Sequence, residues 1–378
     1  MKYRKNGKTG QDVSLLGFGA MRLPTIKGQH GAIDEEKTIH MIRHAIDNGL
    51  TYVDTAYVYH NGNSEVVVGK ALKDGYREKV TVADKLPFWI AGSKEELDGI
   101  LAESLRRLDI DIIDNLLVHD INEGSYENFK KFEVLPFVIK AKADGKARNI
   151  GFSYHGKTPE FFKELVDLYD WDFVQIQLNY MDQNMQAGVE GLKYLASKGI
   201  PAVIMEPLKG GKLTDILPDS ITDLWETAPV KRTPADWAFR WVANFPEVTT
   251  ILSGMSTIEQ VEENLSILSE AEAGALTAAE LSVIDAVAAE YNRLIPYGCT
   301  ECRYCLPCPI GLQIPKIVGM RNEAEIFKSL KKTAFEVNAF LDVKPSACIA
   351  CKKCEELCPQ HLHISDIMAE CAEMFEVR

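Results

Sequence analysis

The chain has 378 residues, 46% of them hydrophobic, and this length suits two domains better than one. Its formal net charge of −13 argues against a nucleic-acid partner, because phosphate backbones bind basic surfaces. No stretch approaches the roughly 20 consecutive apolar residues of a membrane span, so we expect no membrane partner. The first residues lack the apolar core of a secretory signal, which predicts a cytoplasmic protein.

The N-terminal segment precedes the first apolar run and contains Asn6-Gly7 between residues that favour β-structure. Asn-Gly is the preferred dipeptide of a two-residue hairpin turn. We therefore predict a small hairpin within Met1–Ser14 that plugs the lower mouth of the domain that follows it.

Short apolar runs typical of strands then alternate with amphipathic stretches typical of helices. The eight runs are Leu15–Gly19, Tyr52–Ala56, Val80–Lys85, Asn115–His119, Ala147–Ser153, Phe173–Leu178, Ala202–Glu206 and Thr249–Gly254. Strands that are each followed by a helix predict a closed parallel (β/α)8 TIM barrel. A doubly wound sheet is the alternative, but it usually carries a Gly-x-Gly-x-x-Gly turn after its first strand, which this sequence lacks.

Polar residues end several of these runs, at the place where a (β/α)8 barrel collects its catalytic side chains. Asp54 ends the second run and Tyr59 follows on its loop, while Lys85 and His119 end the third and fourth runs. Taken singly, Asp54 or Lys85 would be interpreted as half of a structural ion pair. Together the four predict a proton-donating site, in which an ammonium next to a phenol lowers the tyrosine pKa.

Three segments resemble the catalytic tetrad of the aldo-keto reductases in order and spacing: D-T-A-x-x-Y at 54–59, A-D-K at 83–85 and L-L-V-H at 116–119. The resemblance covers residues 1–290 and implies hydride transfer between a nicotinamide and a small carbonyl or alcohol. In that scheme Tyr59 is the general acid, Lys85 and Asp54 tune it, and His119 orients the substrate. Asp84 departs from the small or hydroxyl residue common there, and strand alternation points it away from the barrel interior.

The resemblance also implies a nicotinamide dinucleotide site. Ser153 and Gln175 match residues that hydrogen-bond the nicotinamide amide, and Met205 stands where a stacking tyrosine is common. The segment 206–212 contains glycines whose backbone amides can hold a pyrophosphate, with a plain surface turn as the alternative. The residues assigned to the dinucleotide are Ser153, Gln175, Met205, Pro207, Leu208, Gly211, Lys212, Gly254, Ser256, Gln260, Glu263 and Asn264.

The choice between NADH and NADPH depends on cations near the adenosine ribose. NADP-selective members of the family usually place Lys and Arg at the positions held here by Gly254 and Gln260. A 2′-phosphate gains little without those cations. The resemblance therefore implies NAD(P)H as the cofactor, with NADH slightly favoured.

Eight of the nine cysteines form two arrays near the C-terminus, each ending in Cys-Pro. The arrays are Cys299, Cys302, Cys305 and Cys308, and then Cys348, Cys351, Cys354 and Cys358. This spacing is typical of two-cluster ferredoxins, in which the last Cys of each array binds the other cluster, although the first array closes one residue early. We predict two [4Fe-4S] clusters, with Cys308 and Cys358 exchanged between them.

Two other interpretations of the cysteines are possible. Cys-x2-Cys pairs also build Zn-S4 sites, so zinc is the main alternative. Disulfides are disfavoured because no cysteine occurs in the first 298 residues. Cys371 lies outside both arrays and is predicted to be a buried small hydrophobe. We predict a barrel domain at 1–290 and a helical ferredoxin-type dicluster domain at 291–378.

The electron count leaves three functions open. Hydride transfer moves two electrons and a cluster takes one, so exchange between them needs a converter such as a flavin, for which the sequence shows no site. In the first, the barrel is an oxidoreductase whose clusters exchange electrons with a ferredoxin or flavoprotein. In the second, the barrel is a carbonyl reductase and the clusters are structural. In the third, the barrel is inactive and the protein is an electron-transfer subunit. The intact tetrad speaks against the third. The combined domains resemble a bacterial subgroup of iron-sulfur aldo-keto reductases.

Overall fold

The structure is a computed structural model that describes residues 1–29, 31–299 and 303–376. Contacts within the chain divide it into two compact units. The larger unit comprises Met1–Leu213 with Arg232–Ala278, and the smaller comprises Thr214–Lys231 with Ala279–Arg378. Within the described ranges, no helix has both the length and the apolar character that crossing a membrane requires.

The larger unit contains a closed barrel of eight parallel strands, which confirms the predicted fold class. A hairpin of β1 (Tyr3–Lys5) and β2 (Asp12–Ser14) precedes it. The barrel strands are β3 (Leu16–Gly19), β4 (Tyr52–Asp54), β5 (Thr81–Leu86), β6 (Ile113–Ile121), β7 (Ala147–Tyr154), β8 (Phe173–Gln177), β9 (Ala202–Met205) and β10 (Val248–Gly254). Each strand pairs with the next and β10 closes against β3, so the order never reverses as it does in a doubly wound sheet.

The helices begin at polar caps or prolines in several places, as at Asp34 and Thr257, whose side chains accept from backbone N–H groups three residues on. In chain order they are α1 (Glu35–Asp47), α2 (Asn63–Ala71), α3 (Glu96–Leu108), α4 (Tyr126–Lys131), α5 (Val134–Ala143), α6 (Pro159–Asp167), α7 (Gly188–Ser197), α8 (Asp219–Glu226), α9 (Pro234–Ala243), α10 (Ile258–Glu270), α11 (Ala278–Arg293), α12 (Ile314–Ile326), α13 (Leu330–Phe340), α14 (Lys353–Glu356) and α15 (Ile364–Phe375).

The hairpin plugs the barrel, but its turn differs from the prediction. Val13 of β2 is buried against the interior residues of the barrel strands. The pairing of Lys5 with Asp12 leaves a loop of six residues between β1 and β2. The predicted two-residue turn at Asn6-Gly7 is therefore wrong. The Asn6 side chain instead accepts from two backbone amides of the loop, at 3.0 and 3.1 Å, and stabilises a wider turn.

A layer of buried side chains fills the lower barrel. Its members come from six different strands and from the hairpin: Val13, Tyr52, Ala83, Leu117, Phe173, Val203 and Leu252. Because side chains alternate along a strand, the residue two positions after each of these strand residues also faces the barrel interior. This layer therefore shows which side chains nearer the carboxyl ends of the strands point into the barrel.

The smaller unit packs around the apolar faces of α12, α13 and α15. Its buried core is Leu312, Ile314, Ile317, Val318, Ala324, Val337, Leu341, Ile364, Ile367, Met368, Cys371 and Phe375. Cys371 is fully buried in this core, which confirms its predicted packing role. The cysteine-bearing loops pack against the same core, with side chains partly buried.

The contacts assign one helix to an unexpected unit. Although α8 lies between β9 and β10 in the chain, its residues belong to the smaller unit, together with nearly all of α11. Ser220 of α8 hydrogen-bonds the Glu290 carboxylate of α11. The division by contacts therefore differs from the functional boundary near residue 290, which stays a prediction.

Candidate functional site

Strand alternation brings three predicted residues into the barrel lumen. Asp54, Lys85 and His119 each lie two positions beyond an interior residue of β4, β5 and β6, so their side chains point the same way as that layer. The strands pair in parallel, which places their carboxyl ends at one mouth of the barrel. The local pattern of each strand and the register between strands together assemble the site.

Lys85 is the buried centre of this group. Its Nζ donates to Asp54 Oδ1 at 2.5 Å and to the Thr55 carbonyl at 2.9 Å. Lys85 is 1% exposed and Asp54 is 3% exposed, so water does not screen the pair. Burial acts to lower the pKa of Lys85, but Asp54 and Tyr59 outweigh it and the pKa is raised. The ammonium therefore stays charged at neutral pH.

Tyr59 lies on the short turn Tyr59–Gly62 that follows β4. The Lys85 Nζ is 4.8 Å from the centroid of its ring. The sequence predicted a lowered pKa for this phenol, and that prediction is wrong. Burial raises the pKa of Tyr59, and the opposing effect of Lys85 does not overcome it. The hydroxyl keeps its proton at neutral pH, as a proton donor must.

Arg107 of α3 anchors the loop that carries Tyr59, and sequence reasoning missed it. Its Nη1 donates to Glu65 Oε2 at 2.8 Å and to the Tyr57 carbonyl at 3.2 Å. A Cβ on Gly62 would lie 2.6 Å from the same Nη1, and Gly62 has a left-handed φ of 88°. Glycine is favoured there because a side chain would crowd the guanidinium and because the left-handed φ is strained for other residues. The hint in the sequence was this glycine on the loop after the second run.

His119 faces Tyr59 across the mouth. The two ring centroids are 6.0 Å apart at an interplanar angle of 83°. Burial lowers the pKa of His119 well below its ordinary value, and the charges of Lys85 and His155 act in the same direction. The imidazole is therefore neutral at physiological pH. Its Nδ1 is buried and has no hydrogen-bond partner among the described residues.

Trp89 is a second residue that sequence reasoning missed. It lies on the turn Phe88–Ile90 after β5, and its ring centroid is 4.8 Å from that of His119. The indole is 37% exposed. The indole therefore packs against the imidazole while remaining partly exposed. The signal in the sequence was the aromatic pair that follows the lysine strand.

Asp84 points away from the lumen, as the alternation of β5 predicts. It is fully buried beside Glu65 of α2, on the side of the sheet that faces the helices. Burial, reinforced by the charge of Glu65, raises the pKa of Asp84 well above its ordinary value. The acid therefore leaves the Asp54–Lys85 pair intact and forms a separate buried group behind it.

The residues assigned to the nicotinamide lie together on neighbouring strands. Ser153 of β7 pairs in register with Gln175 of β8, and the Ser153 hydroxyl accepts from the Asp120 amide at 2.9 Å. Gln175 Nε2 contacts Met205 Sδ at 3.4 Å. Gln175 Oε1 is buried and has no hydrogen-bond partner in the described part of the chain. An amide donor from a ligand would satisfy it.

The predicted pyrophosphate loop forms a tight turn after β9. Four of the assigned residues lie on it: Pro207, Leu208, Gly211 and Lys212. The Gly211 amide donates to the Leu208 carbonyl at 3.0 Å, and the Lys212 amide donates to the Lys209 carbonyl at 3.4 Å. These amides already serve the turn itself. The sequence suggested that free amides here could bind a pyrophosphate, but the Gly211 and Lys212 amides already donate to carbonyls of the turn.

A buried polar network holds this loop against the end of β8. Lys209 Nζ contacts Asp182 Oδ2 at 2.7 Å, and Asp182 is 3% exposed. Gln177 and Asn179 donate to the same oxygen at 2.8 and 3.1 Å. Nothing in the spacing of these residues pointed to the network, because its members come from the end of β8, the loop after it and the loop after β9.

The remaining assigned residues lie at the end of β10 and the start of α10: Gly254, Ser256, Gln260, Glu263 and Asn264. Gln260 Oε1 accepts from the Ser256 amide at 2.8 Å, as in a helix-capping arrangement. Asn264 is buried and donates to Ser253 Oγ at 3.0 Å. Glu263 is exposed and accepts from the threonine that caps α9. Several of these side chains therefore stabilise the helix start itself.

The cysteine arrays line two cavities in the smaller unit. The larger cavity, of about 150 Å³, is lined by Cys308 together with Cys348, Cys351 and Cys354. The smaller is lined by Cys299 and Cys358, and Cys305 lines both. Cys302 lies outside the described residues. The exchange of Cys308 and Cys358 between the two clusters stays a prediction.

The cysteines that line these cavities are the sulfur donors that an iron-sulfur cluster uses. Within the described ranges, no three His, Cys, Asp or Glu side chains form a group that could hold a single metal ion. A [4Fe-4S] cube presents a different iron to each thiolate, so its ligands surround a volume instead of meeting at one point. Cysteine side chains around a largely apolar cavity are the donor set that such a cube needs.

Comparison with known proteins assigns a family to each part of the chain. Residues 15–289 match the Aldo/keto reductase family, and residues 298–362 match a 4Fe-4S dicluster domain. The L-galactose dehydrogenase of Arabidopsis thaliana is 29% identical over 310 residues, which cover 76% of this chain and 94% of the plant protein. The NADH-specific methylglyoxal reductase of Escherichia coli is 27% identical, with coverages of 71% and 94%.

Solved structures resemble the barrel as well. An aldo-keto reductase from Bacillus halodurans in its holo form is 28% identical with a TM-score of 0.64, covering 76% of this chain and 96% of its own. An aldo/keto reductase from Klebsiella pneumoniae in complex with NADP and acetate is 26% identical with a TM-score of 0.60, with the same coverages. Both extend the similarity to the whole barrel.

Proposed function

We propose, from the premise that the chain belongs to the aldo/keto reductase family, that its barrel transfers hydride between NAD(P)H and a small carbonyl or alcohol. The chain is an oxidoreductase with a 4Fe-4S dicluster domain toward its C-terminus. The observation that carries the proposal is the buried Lys85–Asp54 contact of 2.5 Å beside Tyr59 and His119. We propose Tyr59 as the general acid.

The proton step follows from the pKa directions. When bound, NAD(P)H supplies the hydride, and its two electrons reduce the carbonyl carbon. The Tyr59 hydroxyl donates its proton to the carbonyl oxygen, so that an alcohol forms. The Lys85 ammonium, kept charged by Asp54, stabilises the phenolate left behind. Neutral His119 donates an N–H to the same oxygen and orients it.

The nicotinamide end of the site fits its proposed ligand. The buried Oε1 of Gln175 needs a donor, and the Ser153 hydroxyl retains its own proton to donate. We propose that these two hold the carboxamide while Met205 contacts the ring. The other assigned residues would line the rest of the dinucleotide: Pro207, Leu208, Gly211, Lys212, Gly254, Ser256, Gln260, Glu263 and Asn264.

The preferred cofactor is a separate proposal. Relatives point in both directions, since the Escherichia coli reductase is named for NADH and the Klebsiella structure contains NADP. We propose a slight preference for NADH, because Gly254 and Gln260 offer no positive charge to a 2′-phosphate. The ratio of kcat/KM for NADH and NADPH measures this directly.

We propose that the cysteines bind two [4Fe-4S] clusters within a domain at 291–378, each completed by the last cysteine of the other array. We propose further that the clusters exchange electrons with an external ferredoxin or flavoprotein. A second candidate role is structural, and it is favoured by the packing of six cysteines against the core of the smaller unit. Carbonyl reduction in the barrel would proceed without the clusters in that case.

The test uses full-length protein purified without oxygen. Iron, sulfide and EPR spectra report the clusters, and oxidation of NADH and NADPH by a panel of small carbonyls reports the barrel. Tyr59→Phe removes the proton donor and should lower the rate by about 100-fold or more. Tyr57→Phe, two residues away, removes a hydroxyl that the proposed chemistry does not use and should retain the rate. Equal rates in both variants would refute Tyr59 as the acid.

A further inference from the structure

The segment around Cys351 forms an exposed face of the smaller unit. Cys351 is exposed, whereas the other described cysteines of the two arrays are partly buried. Ile349 and Leu357, which lie on either side of it in the chain, are 63% and 58% exposed. Electron transfer between proteins requires the two redox groups to approach closely. The exposed cysteine therefore marks the place where a cluster bound by these arrays would come nearest to the surface.

Positive charge accompanies the exposed cysteine. Of the described residues that line the larger cysteine cavity, the charged side chains are those of Lys352 and Lys353, and both are exposed. In the described part of the chain neither lysine forms an ion pair, unlike Arg321 of the same unit, which pairs with Glu370 at 2.6 Å. Both ammonium groups are therefore available to a partner.

Two glutamates follow these lysines in the chain, and neither lines the cavity. The Glu355 carboxylate accepts from the Ser365 amide at 2.8 Å and from the Ser365 hydroxyl, which holds it at the start of α15. Glu356 is exposed at the end of α14. The rim of the cavity around Cys351 is thus positive and apolar, with the carboxylates set beside it.

This local charge is opposite to that of its surroundings. The chain has a formal net charge of −13, and a [4Fe-4S] core bound by four thiolates is itself negative. An acidic partner would be repelled by the chain as a whole, so a positive rim selects the place where such a partner can approach. Redox complexes are weak and bury little surface, so two lysines beside two exposed apolar side chains suffice.

We propose that an acidic one-electron carrier protein, of the ferredoxin or flavodoxin type, docks on a carrier face formed by Ile349, Lys352, Lys353 and Leu357. This inference rests on the proposed exchange of electrons with an external carrier, and it adds the surface and the charge of the partner. The lysines attract carboxylates of the carrier, and the apolar side chains exclude water between the proteins. The reduced carrier gives one electron to the cluster proposed at Cys351 and is itself oxidised by one electron, and no bond forms or breaks.

Stopped-flow reduction of the full-length protein, purified without oxygen, tests the assignment. A reduced acidic [2Fe-2S] ferredoxin would be mixed with the wild type and with double variants. The second-order rate constant should fall roughly tenfold in Lys352→Gln/Lys353→Gln and further in Lys352→Glu/Lys353→Glu. Raising the ionic strength should lower the wild-type rate and narrow these differences. Lys331→Gln/Lys332→Gln is the matched control, because it removes two exposed charges from the start of α13 and should change the rate little.

The outcomes separate this inference from the function on which it rests. Iron content and the EPR spectrum after dithionite reduction should be the same in all variants, because the lysines are not ligands. Equal rates in the wild type and both carrier-face variants would overturn the docking face while leaving the exchange of electrons intact. An equal fall in the control would also overturn it, since overall charge would then explain the effect. Clusters that dithionite reduces and the ferredoxin does not would overturn the exchange and the docking face together.

Discussion

The barrel site and the cysteine module are built in different ways. Asp54 and Lys85 lie at the ends of hydrogen-bonded strands, are almost fully buried and contact each other directly. The cysteines lie mostly on loops, and Cys351 is exposed while the other described cysteines of the arrays are partly buried. The polypeptide alone therefore fixes the barrel site. The cysteine loops surround cavities and would gain their final order from the clusters they hold.

This contrast implies that the two parts respond differently to substitution. A change in the barrel site should alter chemistry without altering the metal content. A change in a cysteine should alter metal content and the order of the smaller unit without altering carbonyl reduction. Substitutions confined to one part or the other test this separation.

Lys85→Met should lower the rate of carbonyl reduction by about 100-fold or more, because the phenolate of Tyr59 loses its stabilising charge. It also leaves Asp54 buried without its partner, which should cost about 3–5 kcal/mol of stability. Steady-state kinetics and denaturant unfolding measure the two effects. The double variant with Asp54→Asn should recover stability and not rate. Recovery of both would show that Lys85 acts through the fold alone.

Cys354→Ser should lower the iron content by roughly half or more, since it removes a proposed ligand of one of the two proposed clusters. The loops of the smaller unit should become more susceptible to protease, while NAD(P)H-dependent carbonyl reduction continues. Iron analysis, limited proteolysis and kinetics on the same sample make the comparison. Cys371→Ala is the matched control, because that cysteine is buried in the helical core and should not affect iron.

A loss of carbonyl reduction in Cys354→Ser, with the barrel still folded, would contradict the separation of the two parts. It would favour the role of the clusters as electron carriers in turnover. Full retention of iron would instead contradict the assignment of Cys354 as a ligand.

Asp84→Asn should stabilise the barrel by about 1–3 kcal/mol at pH 8.5. The folded-state pKa of Asp84 is raised, so the folded chain binds this proton more tightly than the unfolded chain does. That contribution is complete below the ordinary aspartate pKa and is lost as pH rises through the raised value. The asparagine amide is neutral and can donate to the buried Glu65 Oε1, which has no partner among the described residues.

Urea unfolding at pH 5 and at pH 8.5 measures the effect. The gain from Asp84→Asn should be larger at the higher pH, whereas exposed Asp74→Asn should show no such difference. An equal gain at both values would mean that Asp84 is ionised in the folded protein and that the carboxyl pair is arranged otherwise.

The sequence was informative where a local pattern decides the structure. Short apolar runs located the eight strands within two residues, and the polar residues at the ends of those runs predicted that Asp54, Lys85 and His119 converge at one end of the barrel. Cysteine spacing identified the module, and the family comparison supports both assignments. Such features depend on neighbours in the chain, which a sequence displays directly.

Other features depend on distant contacts and were not predictable. The anchor of the Tyr59 loop is Arg107, which a later helix supplies. The direction of the Tyr59 pKa depends on how deeply the phenol is buried, and the spacing of the tetrad does not reveal burial. The hairpin turn depended on how the Asn6 side chain bonds its own loop. Each case is a balance of opposing effects that only coordinates can resolve.

The most direct test of the central claim follows the hydride itself. NADH carrying deuterium at the nicotinamide C4 would be incubated with a small aldehyde and the wild-type protein, and the alcohol analysed by mass spectrometry. Direct transfer at the barrel site predicts one deuterium on the carbinol carbon of the product, and formation of that product should nearly cease with Tyr59→Phe. An alcohol without deuterium, or one formed equally well by the variant, would contradict the account.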